Sequence, residues 1–249
     1  MLTSKNKYKE IFLKKGYFLQ RSVFDKIFIK KILREVQLAK NVTKYYDKNN
    51  NIRRIEKLYN KGNYLNYLNK KIENHLNSVF KKKFTIFKDK YNAKPPKGEG
   101  FYAHYDGIFY FKNKKNEKKK GWYEYSNFFI NVLIALDDSN KRNGTIEIAK
   151  KHDGSFQKLL KNTYNDGTPN ITKEIEKKIK FKTINLKVGD IIVFSNKCPH
   201  RSDKNYTTCS RRNLYYTYTY GSDKTLYRKY FNDKKNSKSN TRKSLEGRV

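Results

Sequence analysis

The sequence predicts an α+β domain in which a helical first third is followed by a β-rich core. Apolar residues recur at helical spacing through roughly the first eighty residues. From Phe84 the texture changes to short runs rich in β-branched and aromatic residues, separated by Gly, Pro, Asn and Asp. At 249 residues the chain is long enough for one substantial core. We therefore expect a single domain over residues 1–233, mainly helical over 1–83 and β-structured over 84–233. The basic tail at 234–249 is low in apolar residues and is expected to be disordered.

The segment "SVFDKIFIKKILREVQLAK" sets Phe24, Ile27, Ile32, Leu33 and Val36 on one side of a helix, with Ser22 as the N-cap. "NIRRIEKLYNKGNYLNYLNKKIENHLNSVF" reads as one or two further helices interrupted near Gly62, with His75 at a surface or edge position. Then come the strands "FTIFKDKYNAK", "FYAHYDGIFYF" and "FFINVLIALDD". "FKTINL", the turn "KVGD" with the apolar strand "IIVF", and "NLYYTYTY" follow. Several short strands after a helical part predict a β-sandwich or barrel with helices on one face. Lys112 to Lys120 and Thr163 to Lys178, both polar and charged, read as insertions, and no internal repeat is visible.

No apolar run approaches the roughly 18 residues of a membrane span, and the N-terminal residues lack a signal-peptide core. Cys198 and Cys209 are too few for a disulfide scaffold and lack zinc-ligand spacing. These features predict a soluble, cytoplasmic protein. The net charge of +35 favours nucleic acid or another anionic partner on electrostatic grounds. Lysine, asparagine, isoleucine and tyrosine are enriched together along the whole chain, however, which is the signature of an A+T-rich genome, so a nucleic-acid partner is not expected.

Chemistry concentrates in "FYAHYDG". In an extended strand, residues two apart project from one face, so His104 and Asp106 offer an imidazole nitrogen and a carboxylate oxygen to the same space. His200, just after "GDIIVFSNKCPH", is the candidate third ligand. Two histidines and one carboxylate leave an open face, the arrangement of non-haem iron(II) centres that activate dioxygen. Arg211, eleven residues beyond His200, is suited to a bidentate grip on a carboxylate. Arg212 is the adjacent alternative, and strand alternation lets only one of the two point inward. Iron, an open face and such an arginine together describe a 2-oxoglutarate-dependent oxygenase. The strand "FKDKYNAK" sets Lys88, Lys90 and Asn92 on one face, where they either line a cosubstrate or substrate pocket or form a solvated surface.

The ordered set of these motifs resembles the phytanoyl-CoA dioxygenase-like family of iron(II)/2-oxoglutarate oxygenases, over most of the chain. "KPPKGEGFYAHYDG" is similar to that family's approach to His-x-Asp, and "ALDDSNKRNGTIEIAKKHDG" to its acidic strand end and Asn-Gly turn. "VGDIIVFSNKCPHRSDKNYTTCSRRNLYYTY" is similar to its distal histidine block. The resemblance implies a double-stranded β-helix (jelly-roll) core and His104, Asp106 and His200 as iron(II) ligands. It implies Arg211 on the far carboxylate of 2-oxoglutarate, Ser202 supporting it, and dioxygen as the other cosubstrate. His152 matches a histidine that often ends the family's Asn-Gly motif, and a role in packing or behind the ligands is expected for it. Trp122 is expected to shape the pocket mouth, and Tyr102, Tyr105 and Phe109 to face the substrate.

The function expected from this resemblance is hydroxylation of a small polar, anionic or zwitterionic metabolite. "TIFKDKYNAKPPKGEGFYAHYDG" and the C-terminal "RRNLYYTYTYGSDKTLYRKYFNDKK" look like the branch containing 2-aminoethylphosphonate hydroxylase, which makes an aminophosphonate one example. The alternatives are an oxygenase acting on a macromolecule and a non-catalytic nucleic-acid-binding protein with an oxygenase fold.

Overall fold

Two antiparallel β-sheets face each other, and helices cover the outer surface of the larger one. A computed structural model describes residues 4–237. The first part holds helix α1 (Ser4–Lys15), strand β1 (Tyr17–Gln20) and helix α2 (Lys26–Leu38). Next come strands β2 (Thr43–Tyr46) and β3 (Ile52–Glu56) and the long helix α3 (Asn63–Phe80). The core continues through β4 (Phe84–Lys94), β5 (Phe101–His104), a hairpin of β6 (Phe111–Lys112) and β7 (Lys118–Lys119), β8 (Phe129–Ala135) and β9 (Ile146–Ile148). Helices α4 (Phe156–Leu160) and α5 (Lys173–Glu176) precede β10 (Lys182–Thr183), β11 (Ile191–Ser195), β12 (His200–Ser202) and β13 (Arg211–Tyr220), and helix α6 (Thr225–Asn236) follows.

The larger sheet has the order β1-β11-β8-β13-β4-β3-β2 and the smaller one β10-β9-β12-β5. From β4 onward the chain alternates between them: β4 lies in the larger sheet, β5 in the smaller, and β8, β9–β10, β11, β12 and β13 continue the exchange. That winding is the double-stranded β-helix, or jelly roll, that the family resemblance implies. Strand alternation divides the side chains. Ile130, Val132, Ile134, Leu214, Tyr216 and Tyr218 face the helices, where they meet Ile32, Leu68, Ile72 and Leu76 in one buried cluster. Leu133, Ala135, Ile192 and Phe194 face the smaller sheet and meet Ile146 and Ile148.

The helices are fixed by local polar contacts as well as by their apolar stripes. Asp25, not Ser22, caps α2, its carboxylate accepting from the Phe28 N–H at 2.7 Å. Ile29, Ile32 and Val36 form the buried face of α2, whereas Ile27 is 70% exposed, so the stripe is rotated from the one read in the sequence. Gly62 has no side chain with which to cap α3, and Glu35 of α2 does so instead, accepting from Tyr64 N at 3.0 Å and Leu65 N at 2.8 Å.

The first 83 residues hold strands β1, β2 and β3 among the three longer helices. Two features differ from the sequence expectation. "IRRIE", read as the start of a helix, is β3, because its backbone pairs with β4 through Arg54↔Asn92 and Ile55↔Tyr91. Lys234 to Asn236, assigned to a disordered tail, are the last turn of α6, held by Lys234 Nζ on Glu56 Oε1 at 2.7 Å. The rest of that expected tail, residues 238–249, lies outside the described residues.

Candidate metal centre and its cleft

β12 lies beside β5 in the smaller sheet, and their register puts His200 directly opposite His104. Asp106 follows two residues later, just beyond the end of β5, where Gly107 turns the chain with φ +77°. The carboxylate thus comes from the strand's exit and not from the strand itself. The three ligand atoms lie within 4.8 Å of one another: His104 Nε2 is 3.9 Å from Asp106 Oδ1 and His200 Nε2 is 3.6 Å from Asp106 Oδ2. Each imidazole is oriented through its other nitrogen. His104 Nδ1 bonds to Tyr102 O at 2.8 Å and His200 Nδ1 to Cys198 O at 3.1 Å, so both Nε2 atoms face the same space.

Charge supports the same arrangement. Burial, with His200 beside it, pushes the His104 pKa down to about 3, and burial also lowers that of His200, so both are neutral near pH 7. Burial works against the Asp106 carboxylate, but His200, Lys90, His104 and Lys88 outweigh it and hold its pKa below the usual range. Two neutral imidazoles and one carboxylate form a mixed nitrogen and oxygen donor set that fits a divalent first-row metal such as iron(II). Asn131, within the otherwise apolar strand β8, fixes the carboxylate. Its Nδ2 donates to Asp106 Oδ2 at 2.9 Å, and its Oδ1 accepts from Thr217 Oγ1 at 2.7 Å.

The triad opens into a cleft of about 280 Å³ between the two sheets. At one end Arg211 is buried, donating from Nη2 to Gly144 O at 2.9 Å. With the Asn213 amide oxygen turned toward it, Arg211 Nη1 also donates to Asn213 Oδ1 at 2.7 Å. Its Nε is buried without an acceptor among the described residues, which fits a guanidinium shaped for a ligand carboxylate. Arg212 points the other way and grips Asp137, with Nε and Nη2 each 2.7 Å from a carboxylate oxygen. Ser202 and Asn92 line the cleft near Arg211. Ser202 Oγ accepts from Lys94 Nζ at 2.9 Å, and the same ammonium donates to Gly144 O at 3.1 Å and to Asp203 O. Lys94 therefore organises this end of the cleft.

Lys88, Lys90 and Asn92 all face inward and line the cleft, as their alternation allowed. Lys90 lies over the Tyr215 ring at 4.8 Å, and burial lowers its pKa to about 7 against the opposing pull of Asp106. Trp122, Phe109 and Tyr102 are wall residues. Tyr105 is not: alternation sends it away from the cleft, where its hydroxyl bonds to His152 Nδ1, so His152 sits behind the ligand strand. The segment read as an insertion at Thr163 to Lys178 forms a wall. Asp166 to Asn170 line the cleft, and Tyr105 N donates to Pro169 O at 3.1 Å while Ile171 N donates to Ala103 O at 2.8 Å. Sequence reasoning missed Asn131, Lys94, Arg54 and the α6 residues Tyr230 and Lys234. A lone asparagine in an apolar strand and a Tyr227, Tyr230, Phe231, Lys234 helical spacing were the available signals.

Comparisons with known proteins bear on the fold and the family. The family model described as Phytanoyl-CoA dioxygenase (PhyH) matches residues 15–213. The 2-aminoethylphosphonate dioxygenase of Uncultured bacterium HF130_AEPn_1 is 29% identical over 163 residues, covering 66% of this chain and 56% of that protein. The methylphosphonate hydroxylase of Gimesia maris is 29% identical over 153 residues, covering 61% of this chain and 52% of that protein. The chain thus spans about half the length of these curated relatives. Among solved structures, EctD from S. alaskensis with 2-oxoglutarate and 5-hydroxyectoine is similar at TM-score 0.67 and 15% identity, over 88% of this chain and 76% of that one. The epimerase SnoN in complex with Fe3+, alpha ketoglutarate and nogalamycin RO is similar at TM-score 0.63 and 14% identity, over 87% and 83%. These likenesses carry the jelly-roll fold, and the family match spans both candidate histidines, the carboxylate and Arg211: the chain belongs to the phytanoyl-CoA dioxygenase family.

Proposed function

We propose that the protein is an iron(II)- and 2-oxoglutarate-dependent oxygenase that hydroxylates a small anionic or zwitterionic metabolite. The observation that carries this reading is the His104, Asp106 and His200 set facing a cleft with the buried guanidinium of Arg211 at its end. Iron bound here, with 2-oxoglutarate and dioxygen, supplies the oxidising power for an unactivated C–H bond. The chain's own residues do the rest. The backbone carbonyls of Tyr102 and Cys198 fix the two imidazoles, Asn131 fixes Asp106, and Arg211 with Ser202 and Asn92 holds and orients the cosubstrate's far carboxylate. Lys94 keeps Ser202 in place, and the Asp166 to Asn170 segment shields the cleft from bulk water.

The substrate class rests on the wall. Six basic residues, Arg54, Lys88, Lys90, Arg201, Arg211 and Lys234, line the cleft against two acidic ones, Asp106 and Asp166. A cleft of about 280 Å³ favours a metabolite over a polynucleotide. The names of both curated relatives contain a phosphonate, which makes 2-aminoethylphosphonate a candidate. Unpaired thiols, Cys198 buried and Cys209 exposed, support a reducing compartment such as the cytoplasm.

Anaerobic protein given iron(II) and 2-oxoglutarate is expected to develop the weak visible charge-transfer band of the chelate, and to form succinate once oxygen is admitted. Asp106→Ala and His200→Ala should each abolish both. Wild-type protein showing neither band nor succinate would sink the proposal.

A further inference from the structure

The cleft has a second end that the metal and its cosubstrate leave unexplained. Along the inner face of β4 the side chains run Lys94, Asn92, Lys90, Lys88, about 7 Å per step of two residues. Lys94 and Asn92 lie in register with Arg211 and Asn213, whereas Lys88 lies opposite Thr217, which is itself opposite Asn131. Lys88 is thus about 20 Å of strand away from the arginine end.

Lys88 is only 8% exposed, yet its ammonium makes no hydrogen bond or ion pair among the described residues. It rests instead on the rings of Trp122 at 4.7 Å and Tyr230 at 5.5 Å. The nearby carboxylate of Glu56 is already taken: Lys234 Nζ lies 2.7 Å from Oε1, Arg54 Nη1 3.7 Å from Oε1, and the Tyr45 hydroxyl 3.2 Å from Oε2. Arg54 from β3, Lys88 from β4 and Lys234 from α6 all line the cleft; Glu56 pairs with Arg54 and Lys234, and Lys88 feels Glu56, Asp106 and Asp89 without a hydrogen bond to any of them. A buried ammonium without an acceptor is costly, and an anion entering the cleft removes that cost.

We infer that Lys88, with Arg54 and Lys234, binds the anionic head of the substrate, and that a compact dianionic oxyanion group such as a phosphonate fits this subsite. Three basic side chains from three elements match a group with three oxygens. Helix α6 lies beyond the segment that the family model matches, and it brings Tyr230 and Lys234 to this end of the cleft. This inference rests on the oxygenase reading above.

The experiment is calorimetric titration of methylphosphonate into full-length protein loaded anaerobically with iron(II) and 2-oxoglutarate. Saturable binding is expected, weakened at least tenfold in Lys88→Met and in Lys234→Met and retained in Lys88→Arg, with 2-oxoglutarate affinity unchanged in all three. Lys88→Met keeps the contact with both rings, so it is expected to fold. Absent binding, binding unchanged in Lys88→Met, or binding displaced by excess 2-oxoglutarate would each overturn the inference. Succinate formation without added substrate reads the metal and cosubstrate end alone. If succinate forms and methylphosphonate does not bind, only the subsite fails. Lys88-dependent binding without succinate keeps the subsite and refutes the oxygenase.

Discussion

Removing the Arg211 guanidinium separates the two ends of the cleft most sharply. A guanidinium has five N–H donors, and here Nη2 and Nη1 each commit one, to Gly144 O at 2.9 Å and Asn213 Oδ1 at 2.7 Å. The Tyr215 hydroxyl also interacts with the guanidinium, and Nε, which has no acceptor among the described residues, is available to a carboxylate in the cleft. Truncating one member of such a buried charged pair costs about 2–5 kcal/mol, or about 30- to 4,000-fold in affinity. Arg211→Ala should therefore weaken 2-oxoglutarate binding by that factor, measured calorimetrically with manganese(II) in place of iron. Arg211→Lys keeps the charge but loses the fork and should fall between. Metal affinity should stay nearly constant in both variants. Arg212→Ala is the control: its guanidinium faces Asp137 on the other side of β13 and is 31% exposed, so it should cost about 1 kcal/mol of stability at most and leave 2-oxoglutarate affinity within about twofold. If Arg212→Ala weakens the cosubstrate and Arg211→Lys does not, the assignment of the inward arginine is wrong.

Two further predictions concern the supports of the cleft. Asn131→Leu removes the donor to Asp106 Oδ2 and strands the Thr217 hydroxyl, so metal affinity should fall about 10- to 100-fold with the cleft otherwise intact, read by titration with manganese(II). An unchanged affinity would mean that Asp106 needs no such orientation. Glu56 is pressed upward by burial, but Lys234, Arg54 and Lys88 outweigh it and bring its pKa from 4.5 to about 2. A depressed carboxylate contributes stability that is complete above pH 4.5 and lost as the pH falls toward 2, here ~3 kcal/mol. Urea unfolding of Glu56→Gln should lose that part of the acid dependence, and a profile as steep as that of the wild type would refute the ion cluster's role.

The candidate site was legible because it is local in sequence. His104 and Asp106 lie two residues apart, and alternation alone predicted that Lys88, Lys90 and Asn92 share a face and that Arg211 and Arg212 do not. What escaped was set by distant partners. "IRRIE" interleaves charged and apolar residues in a way that suits a helix as well as a strand, and only its pairing with β4 decides between them. Lys234 looked like part of a solvated tail because nothing near it in sequence announces Glu56, 178 residues away. Asn131 did carry a local signal, a single amide in a strand buried on both faces, but its partner Asp106 lies 25 residues off. The Thr163 to Lys178 segment looked dispensable by composition, yet its backbone extends the smaller sheet at the ligand strand.

The position of β13 has a consequence for how the protein is made. It is the last strand of the core in sequence and sits at the centre of the larger sheet, joining β1-β11-β8 on one side to β4-β3-β2 on the other. At ~5–20 residues per second, a ribosome needs ~7–27 s to go from the start of β4 to the end of β13. Throughout that interval β4 waits with one long edge unpaired, the condition under which nascent sheets aggregate. One face of the strand carries Lys88, Lys90 and Lys94, whose like charges repel another copy of the same strand. The file of lysines that equips the finished cleft thus also guards the unfinished chain.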